Sequence, residues 1–278
     1  MSGSGREPEG FVCLTCGAQF SPSAQPPAEC PICMDARQFV GWEGQKWITL
    51  QELRAKHRNL IQQEEPGLYS IHTEPAFGIG ERAFVLQTPS GNVLWDCIAL
   101  LDSATIAAVQ NLGGITAIAI SHPHYYTTMV EWSLAFGSAP IHLHAADQRW
   151  VMRPHANVQF WTGDTKPVLD DLLLIHTPGH FDGYQVLHWP GGAAGKGALL
   201  SGDQPQVCLD RRWVSFMTSY PNYIPLGPRA VKRIVNTLRP YRFDRIYGAF
   251  PRRTVAEDAK AALERSAERY LAAISSAH

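Results

Sequence analysis

The chain has 278 residues, of which 45% are hydrophobic and 18% are charged, and its formal net charge is −1 at pH 7. This length and composition are typical of a globular protein with one large domain or two unequal ones. The near-neutral charge, without a block of Lys and Arg, argues against a nucleic-acid or anionic membrane surface as partner. No apolar run approaches the roughly 20 residues that span a bilayer, and the polar N-terminus is not typical of a secretory signal.

Four of the six cysteines form two CxxC pairs, Cys13 with Cys16 and Cys30 with Cys33. Without a secretory signal, this pattern predicts a metal site rather than disulfides, and a reducing, cytoplasmic location. So short a module cannot bury a useful core, and four thiolates around one zinc ion supply the missing stability. The module resembles a zinc ribbon with rubredoxin-type knuckles, with iron and electron transfer as the alternative.

Three segments are expected on this basis. Residues 1–10 are predicted to be disordered, residues 11–45 to form the four-cysteine zinc ribbon, and residues 46–278 to form the main domain. Thr49 and Glu52 match a capping box, which predicts a helix over residues 49–62 that joins the ribbon to the main domain.

The main domain begins with strand patterns and continues with strands and helices mixed. Residues 68–72, 82–87 and 93–96 predict strands, the last two joined by a turn at residues 89–92. Further strands are predicted over residues 115–120, 140–144, 168–175, 184–189, 198–200 and 245–247. Helices are predicted over residues 103–111, 128–136, 146–152 and 228–238, and a second capping box, Thr254 with Glu257, predicts a C-terminal helix. This order favours sheets covered by helices on their outer faces.

Two histidines follow the predicted strand at residues 115–120, with a proline between them: His122-Pro-His124. Proline fixes one φ angle and favours an extended residue before it. Residues i and i+2 of an extended backbone point the same way, so both imidazoles can reach one metal ion. Two loop histidines near the surface are the alternative.

A third histidine and an aspartate also follow strand-like runs. His176 and His180 are four residues apart, but Pro178 and Gly179 exclude a helix between them. We therefore assign His180 as a metal ligand and His176 as a support at the strand end. Asp203 follows Ser-Gly at a strand end without a neighbouring Lys or Arg, which fits a ligand, with a turn-capping role as the alternative.

Other groups are weaker candidates. Asp96 follows a strand and either orients a ligand histidine or caps its loop. His142 and His144, near Asp147, have the same spacing as the first pair. They lie inside a predicted strand rather than in a loop at its end, which disfavours them as a metal site.

The motifs His122-Pro-His124, Thr177-Pro-Gly-His180 and Ser201-Gly-Asp203, each after a strand, resemble those of the metallo-β-lactamase superfamily. The stretch that ends at Asp96 is similar to the family's early strand. The resemblance covers roughly residues 68–250. It implies an α/β (α+β) class fold, a four-layer αβ/βα sandwich with metals at one edge, here preceded by the small ribbon.

The chain departs from the family at the second metal. The family's first motif is usually His-x-His-x-Asp-His, whereas the last two positions here are Tyr126 and Thr127. The late histidine of the family is also missing, because the corresponding region reads Tyr247-Gly-Ala-Phe250. The resemblance therefore implies one remaining site, formed by four residues: His122, His124, His180 and Asp203.

This site predicts a metal-dependent hydrolase in which hydroxide on a mononuclear centre attacks an ester, thioester, amide or lactone. We assign catalytic roles to Asp203, Asp96 and Tyr126, and a hydroxyl of Tyr125 or Tyr126 is expected to donate to a developing oxyanion. Zinc is the favoured metal, and iron and manganese are alternatives.

Two other functions stay open: a mononuclear iron oxygenase or redox protein of the same fold, and a non-catalytic member that keeps one metal for structure. The expected partner is a small-molecule substrate, and a homodimer or a protein contact through the ribbon is open. Residues 74–80 and 210–228 are expected to shape the pocket, with an interface or lid as the alternative for the second loop.

Overall fold

The computed structural model describes residues 10–275. The segment expected to be disordered is residues 1–10. Residues 1–9 of it lie outside the described residues, and Gly10 is the first residue described. The first elements are β1 (Val12–Cys13), α1 (Pro31–Met34), β2 (Trp47–Ile48) and α2 (Leu50–Lys56). Strands β1 and β2 pair antiparallel, so the ribbon's own sheet extends past the expected boundary at residue 45.

The four cysteines of the ribbon are buried and converge on one point. The sulfur atoms of Cys13 and Cys33 lie 3.6 Å apart, and those of Cys16 and Cys30 lie 3.7 Å apart. These separations are too long for disulfides. Four sulfurs at about 2.3 Å from a tetrahedral zinc ion lie about 3.8 Å from one another, so the cluster fits the expected zinc ribbon.

The ribbon shares its core with the rest of the chain. Ile32 and the cysteines belong to the same buried cluster as Met129 and Trp150 of the main domain. The Gln19 backbone N–H also donates to the Thr127 carbonyl at 3.0 Å. Burial of the ribbon's inner face therefore stabilises both parts together.

The first half of the main domain forms a seven-stranded sheet in the order β3 to β9. Strands β3 to β6 are antiparallel, and β6 to β9 are parallel. Its elements are β3 (Arg58–Glu65), β4 (Leu68–Glu74), β5 (Arg82–Thr88), β6 (Gly91–Trp95), α3 (Ser103–Asn111), β7 (Ala117–Ala119), α4 (Met129–Ala135), β8 (Ile141–His144) and β9 (Val158–Trp161).

The second half forms a six-stranded sheet in the order β10-β11-β12-β13-β18-β19, in which only the β13–β18 pair is parallel. Its elements, with two short hairpins, are β10 (Thr165–Pro167), β11 (Leu173–His176), β12 (Gln185–Trp189), α5 (Gly192–Gly195), β13 (Ala198–Gly202), β14 (Gln206–Val207), β15 (Val214–Ser215), β16 (Met217–Ser219), β17 (Ile224–Pro225), α6 (Pro228–Leu238), β18 (Arg245–Gly248), β19 (Thr254–Val255) and α7 (Ala259–Ser275).

The two sheets pack face to face because side chains alternate along their strands. Val93 and Trp95 of β6 belong to a buried cluster with Leu187 and Leu200 of the second sheet. Leu94, between them, belongs to the cluster that contains Ile32 and Met129. That cluster also contains residues of α3, α4, α6 and α7. The helices thus cover the outer faces, and the four-layer sandwich expected from the sequence is confirmed.

Four secondary-structure predictions are wrong in whole or in part. The predicted strand over residues 168–175 begins only at Leu173, because residues 168–172 form the turn between β10 and β11. The predicted helix over residues 49–62 ends at Lys56, because the next residues pair with β4 along the sheet edge. Residues 145–150 form a 3₁₀-helix rather than an α-helix. The second capping box is absent, since Thr254 lies in β19 and α7 begins at Ala259. For residues 58–62 and for Thr254, pairing with a neighbouring strand overrides the local helix propensity.

Among the described residues, no helix combines the length and the apolar character that a membrane span requires.

One buried carboxyl joins the two halves of the chain. Asp147 lies in the 3₁₀-helix after β8 and is 1% exposed. Its Oδ1 accepts a hydrogen bond from the Gly183 N–H at 2.9 Å, whereas Oδ2 has no partner within the described residues. Burial raises the pKa of Asp147 to about 7, because an ionised carboxylate loses its solvation there.

We expect Asp147→Asn to flatten part of the pH dependence of stability. The native state holds the Asp147 proton above the usual pKa of 3.8, so the wild type loses stability as pH rises from there to about 7. The unfolding free energy of Asp147→Asn relative to wild type should rise by on the order of 2 kcal/mol between pH 5 and pH 8. Urea denaturation at both pH values measures it, and an unchanged difference would contradict the raised pKa.

We expect Cys30→Ser to remove the ribbon metal and destabilise the whole chain. Metal binding contributes folding free energy to such a module, so the bound zinc should fall by about one ion per chain and the melting temperature by about 5–10 °C. Atomic absorption and thermal unfolding measure these changes. Cys208→Ser is the matched control, because Cys208 is half-buried and lies outside the cluster. Unchanged zinc and melting temperature in Cys30→Ser would exclude the zinc ribbon.

Candidate metal centre

The first two histidines lie at the end of β7. His122 has extended backbone angles of φ −167° and ψ 172°, and a 3₁₀-helix over Pro123–Tyr125 follows it. The predicted extended pair is therefore replaced by an extended residue and a tight turn. The turn still brings the rings of His122 and His124 to a centroid distance of 5.0 Å.

The third histidine follows β11 in the loop that contains Pro178 and Gly179. The Nδ1–H of His180 donates to the Met217 carbonyl at 3.1 Å, which leaves Nε2 with a free lone pair. This Nε2 lies 3.3 Å from Nδ1 of His124. Similarly, Nδ1 of His122 contacts the Ser121 hydroxyl at 2.9 Å, and its buried Nε2 has no hydrogen-bond partner within the described residues. Protein groups thus orient His122 and His180 through Nδ1, and Nε2 of each ring lies among the other donors.

Asp203 completes the group from the end of β13. Its Oδ2 lies 3.5 Å from His122 Nε2 and 3.9 Å from His180 Nε2. The hydroxyl of Tyr184 donates to Oδ1 at 3.2 Å, and that of Tyr125 donates to Oδ2 at 3.4 Å. All four donor residues are buried, and one ligand atom from each lies within 4.8 Å of the others.

The residue before Asp203 must be glycine for two reasons. Gly202 has φ +60°, and a Cβ atom there would lie 2.5 Å from the Tyr184 hydroxyl oxygen. The Tyr184 hydroxyl in turn accepts from the backbone N–H groups of Asp203 and Gln204, both at 2.8 Å. The Ser-Gly-Asp motif therefore allows Tyr184 to approach the backbone and hold the carboxylate.

The charge of the donors suits a divalent cation. Burial, reinforced by the neighbouring histidines, lowers the pKa values of His122 and His124 well below their usual range, so both rings are neutral at pH 7. Burial raises the pKa of Asp203, and His180 and Tyr184 oppose that shift. Three imidazoles and one carboxylate fit one divalent metal ion, and the buried His122 Nε2 has no hydrogen-bond partner within the described residues.

A buried glutamine ties the two sheets beside these donors. Gln185 of β12 donates from its backbone to the Ser121 carbonyl at 3.0 Å and from Nε2 to the Ile120 and His142 carbonyls at 2.7 and 3.0 Å. Its Oε1 accepts from Trp161 Nε1 at 2.8 Å. The ends of β7, β8 and β9 are thereby fixed to β12 of the second sheet.

A cavity of about 190 Å³ opens onto the donors. His124, His180 and Asp203 line it, together with Ile79, Gln206, Tyr220, Pro221 and Phe250. Ile79 and Tyr220 come from the two loops predicted to shape the pocket. The ribbon also contributes Arg37 and Gln38, which the sequence analysis missed because nothing in the local pattern indicates where the ribbon packs.

A larger groove of about 960 Å³ runs along β3 and β4, and none of the four donors lines it.

The structure brings Tyr125, rather than Tyr126, next to Asp203. The side chain of Tyr126 lies beside the ribbon, where it lines a small cavity with Ala18 and Ile32. The hydroxyl that reaches Asp203 belongs to Tyr125. The two residues could not be distinguished in sequence, because the direction of each ring depends on the 3₁₀-turn.

Asp96 is connected to the metal donor His122 through Ser121. Its Oδ1 accepts from the Ser121 N–H at 2.7 Å, and Ser121 in turn contacts His122. Burial raises the pKa of Asp96 to about 8. The structure thus places Asp96 as the cap of the loop that carries His122.

The remaining histidine candidates lie apart from the site. His176 stacks on His144 with ring centroids 3.7 Å apart, and its Nε2 contacts the Asp182 carbonyl at 2.8 Å. Among residues 10–275, the groups of His, Cys, Asp and Glu that can hold a metal are the ribbon cysteines and the set with His122. His142 and His144 belong to neither.

The chain was compared with known proteins. No family model matches it. The uncharacterized protein YmaE of Bacillus subtilis (strain 168) is 48% identical over 268 residues, which cover 96% of this chain and 97% of YmaE.

Several solved structures share the fold at low sequence identity. The DIM-1 metallo-β-lactamase superposes with a TM-score of 0.60 at 14% identity, over 78% of this chain and 98% of its own. A Cronobacter sakazakii metallo-β-lactamase with a HARLDQ motif gives 0.52 at 19% identity, over 80% and 95%. FIM-1 from Pseudomonas aeruginosa, in its mono-zinc form, gives 0.54 at 13% identity, over 76% and 95%.

These likenesses establish the fold, and the identity to YmaE over nearly the whole of both chains establishes the family. The protein has the metallo-β-lactamase fold with a four-cysteine ribbon at its N-terminal end, and it belongs to the same family as YmaE of Bacillus subtilis.

Proposed function

We propose that the protein is a metal-dependent hydrolase with a mononuclear centre, and that it cleaves an ester, thioester, amide or lactone of a small molecule. The observation that carries the proposal is the convergence of four buried donors, His122, His124, His180 and Asp203, beside a cavity of about 190 Å³. Such a cavity suits a small substrate or one reacting end of a larger one.

A divalent cation bound by these donors supplies the positive charge that acidifies a water molecule and polarises a carbonyl group. His122 and His180 hold their rings in fixed orientations through Ser121 and the Met217 carbonyl. Asp203 presents Oδ2 on the side of the histidines, where a carboxylate would help to hold the cation and could accept a proton from water. Its other oxygen stays bound to the Tyr184 hydroxyl.

Tyr125 supplies a hydroxyl donor beside the reacting group. Burial raises its pKa well above the usual range, so the hydroxyl keeps its proton at neutral pH. From its position at 3.4 Å from Asp203 Oδ2, it can donate to the carboxylate or to a developing oxyanion.

The surroundings support one metal rather than two. The positions that would continue the histidine motif are Tyr126 and Thr127, and both face the ribbon, through a small cavity and a backbone hydrogen bond. Within residues 10–275, no second group of His, Asp or Glu side chains adjoins the first with metal-binding geometry.

The choice of ligand between the two histidines of the third motif can be tested by metal analysis. We expect His180→Ala to lose about one of about two metal ions per chain, because the ribbon retains its own ion. His176→Ala is the matched control and should keep both ions, since His176 stacks on His144 instead. Retention of both metals by His180→Ala would contradict the site.

The same measurement separates zinc from iron. Iron in place of zinc in the wild type, together with oxygen consumption, would contradict the hydrolase and favour the iron oxygenase alternative.

Hydrolysis itself is tested with a panel of p-nitrophenyl esters, thioesters and lactones. Activity of the metal-loaded wild type should fall by about 100-fold or more in Asp203→Asn, because the amide lacks the negative charge that would hold the cation and cannot accept the proton that a carboxylate takes. Asp171→Asn, an exposed carboxyl outside the site, should leave the rate unchanged. Equal rates in Asp203→Asn and wild type would overturn the mechanism, and a wild type inactive on the whole panel would favour the non-catalytic alternative.

A further inference from the structure

The ribbon contributes a charged wall to the cavity above the metal donors. Arg37 and Gln38 of the ribbon line the cavity together with His124, His180 and Asp203. Among the described residues that line this cavity, Arg37 carries the single permanent positive charge. A guanidinium group keeps that charge at any physiological pH.

Three contacts fix the Arg37 side chain. Its Nε–H donates to the His180 carbonyl at 2.6 Å, and its Nη1 donates to Asp35 Oδ1 at 2.8 Å. The guanidinium carbon also lies 4.6 Å from the centre of the Phe181 ring. The side chain is 19% exposed, so these contacts hold it in one position with little freedom.

The backbone around Arg37 is also fixed, by the loop that forms another wall of the cavity. The Ser219 hydroxyl donates to the Arg37 carbonyl at 2.9 Å. Asn222 Nδ2 donates to the carbonyls of Ala36 and Gln38, both at 3.0 Å. The guanidinium is therefore positioned before any ligand arrives, which lowers the entropic cost of binding.

The contacts leave part of the guanidinium free. Within residues 10–275, Nη2 of Arg37 donates no hydrogen bond, whereas Nε and Nη1 are occupied. Asp35 offsets part of the charge from the side of Nη1. A donor that is held rigidly at a cavity and lacks a partner suits an anionic oxygen of a ligand, because hydrogen bonds to charged groups are the strong ones.

We propose that Arg37 binds an anionic group, a carboxylate, of the substrate whose reacting carbonyl lies at the metal donors. This inference rests on the proposed function and adds the substrate class: small esters, thioesters, amides or lactones that carry a carboxylate. Arg37 is then a specificity-determining residue supplied by the ribbon. A purely structural role, as a tie between the ribbon and the His180 loop, is the alternative that the experiment must separate.

The experiment measures binding rather than turnover. The full-length, zinc-loaded protein is titrated by calorimetry with 3-mercaptopropionate and 4-mercaptobutyrate, whose thiolates bind zinc, and with the neutral amide of each. In wild type at least one acid should bind about tenfold more tightly than its amide, because only the acid offers an anion to Arg37. In Arg37→Gln the acid and the amide should bind within about twofold of each other.

Two controls address folding and non-specific charge. Amide binding and zinc content in Arg37→Gln show whether the metal site is intact. Arg37→Lys should retain part of the preference for the acid, because lysine keeps the positive charge but lacks the paired N–H donors of a guanidinium group. Arg211→Gln removes an exposed arginine outside the cavity and should keep the wild-type preference.

An equal preference for acid over amide in Arg37→Gln and wild type would overturn the proposal. Equal binding of acid and amide in the wild type, or binding of neither, would also overturn it. Either result contradicts a guanidinium of Arg37 that is positioned in an accessible cavity beside the metal. An intact preference in a protein that hydrolyses no substrate would instead overturn the hydrolase alone.

Discussion

The candidate metal centre depends on one buried amide, that of Gln185. Two sheets that pack through apolar side chains have no directional contact that fixes one strand end against another. Beside the metal donors, Gln185 supplies such a contact, because its amide and backbone donate to the Ser121, Ile120 and His142 carbonyls of the first sheet. His122 follows Ser121 directly, so the distance between the His122 ring and the donors of the second sheet is set by these hydrogen bonds. The adjacent residue, Tyr184, extends the same control to Asp203.

The positions of the four donors could be predicted because each is a local feature of a strand end. The apolar runs before His122, His180 and Asp203 indicate buried strands, and the Pro and Gly residues after them indicate loops. The predictions failed where distant parts of the chain decide. Residues 58–65 form a strand because they pair with β4, and Tyr125 rather than Tyr126 reaches Asp203 because a 3₁₀-turn directs its ring. The place of Arg37 depends on packing across 143 residues, which no local pattern encodes.

The residues that follow the histidine pair contact the ribbon. Tyr126 and Thr127 stand where the motif that the sequence resembles would continue with an aspartate and a histidine. In this chain both residues contact the ribbon: Tyr126 lines a small cavity with Ile32, and the Thr127 carbonyl accepts from Gln19. Carboxylate and imidazole ligands at these positions would be unpaired against an apolar module, at a cost of several kcal/mol. The surface that could serve a second metal is thus used to bury the ribbon.

Because the ribbon forms one wall of the cavity, it is not an interchangeable module. Domains joined by linkers can be gained, lost or swapped in evolution, since each keeps its own surface. Here a chain without residues 31–38 would leave the His180 carbonyl without its donor and the cavity open to solvent. The alignment to YmaE, which covers 96% of this chain, likewise includes both the ribbon and the sandwich. Any recombinant form of the protein should accordingly be designed with both parts in a single polypeptide.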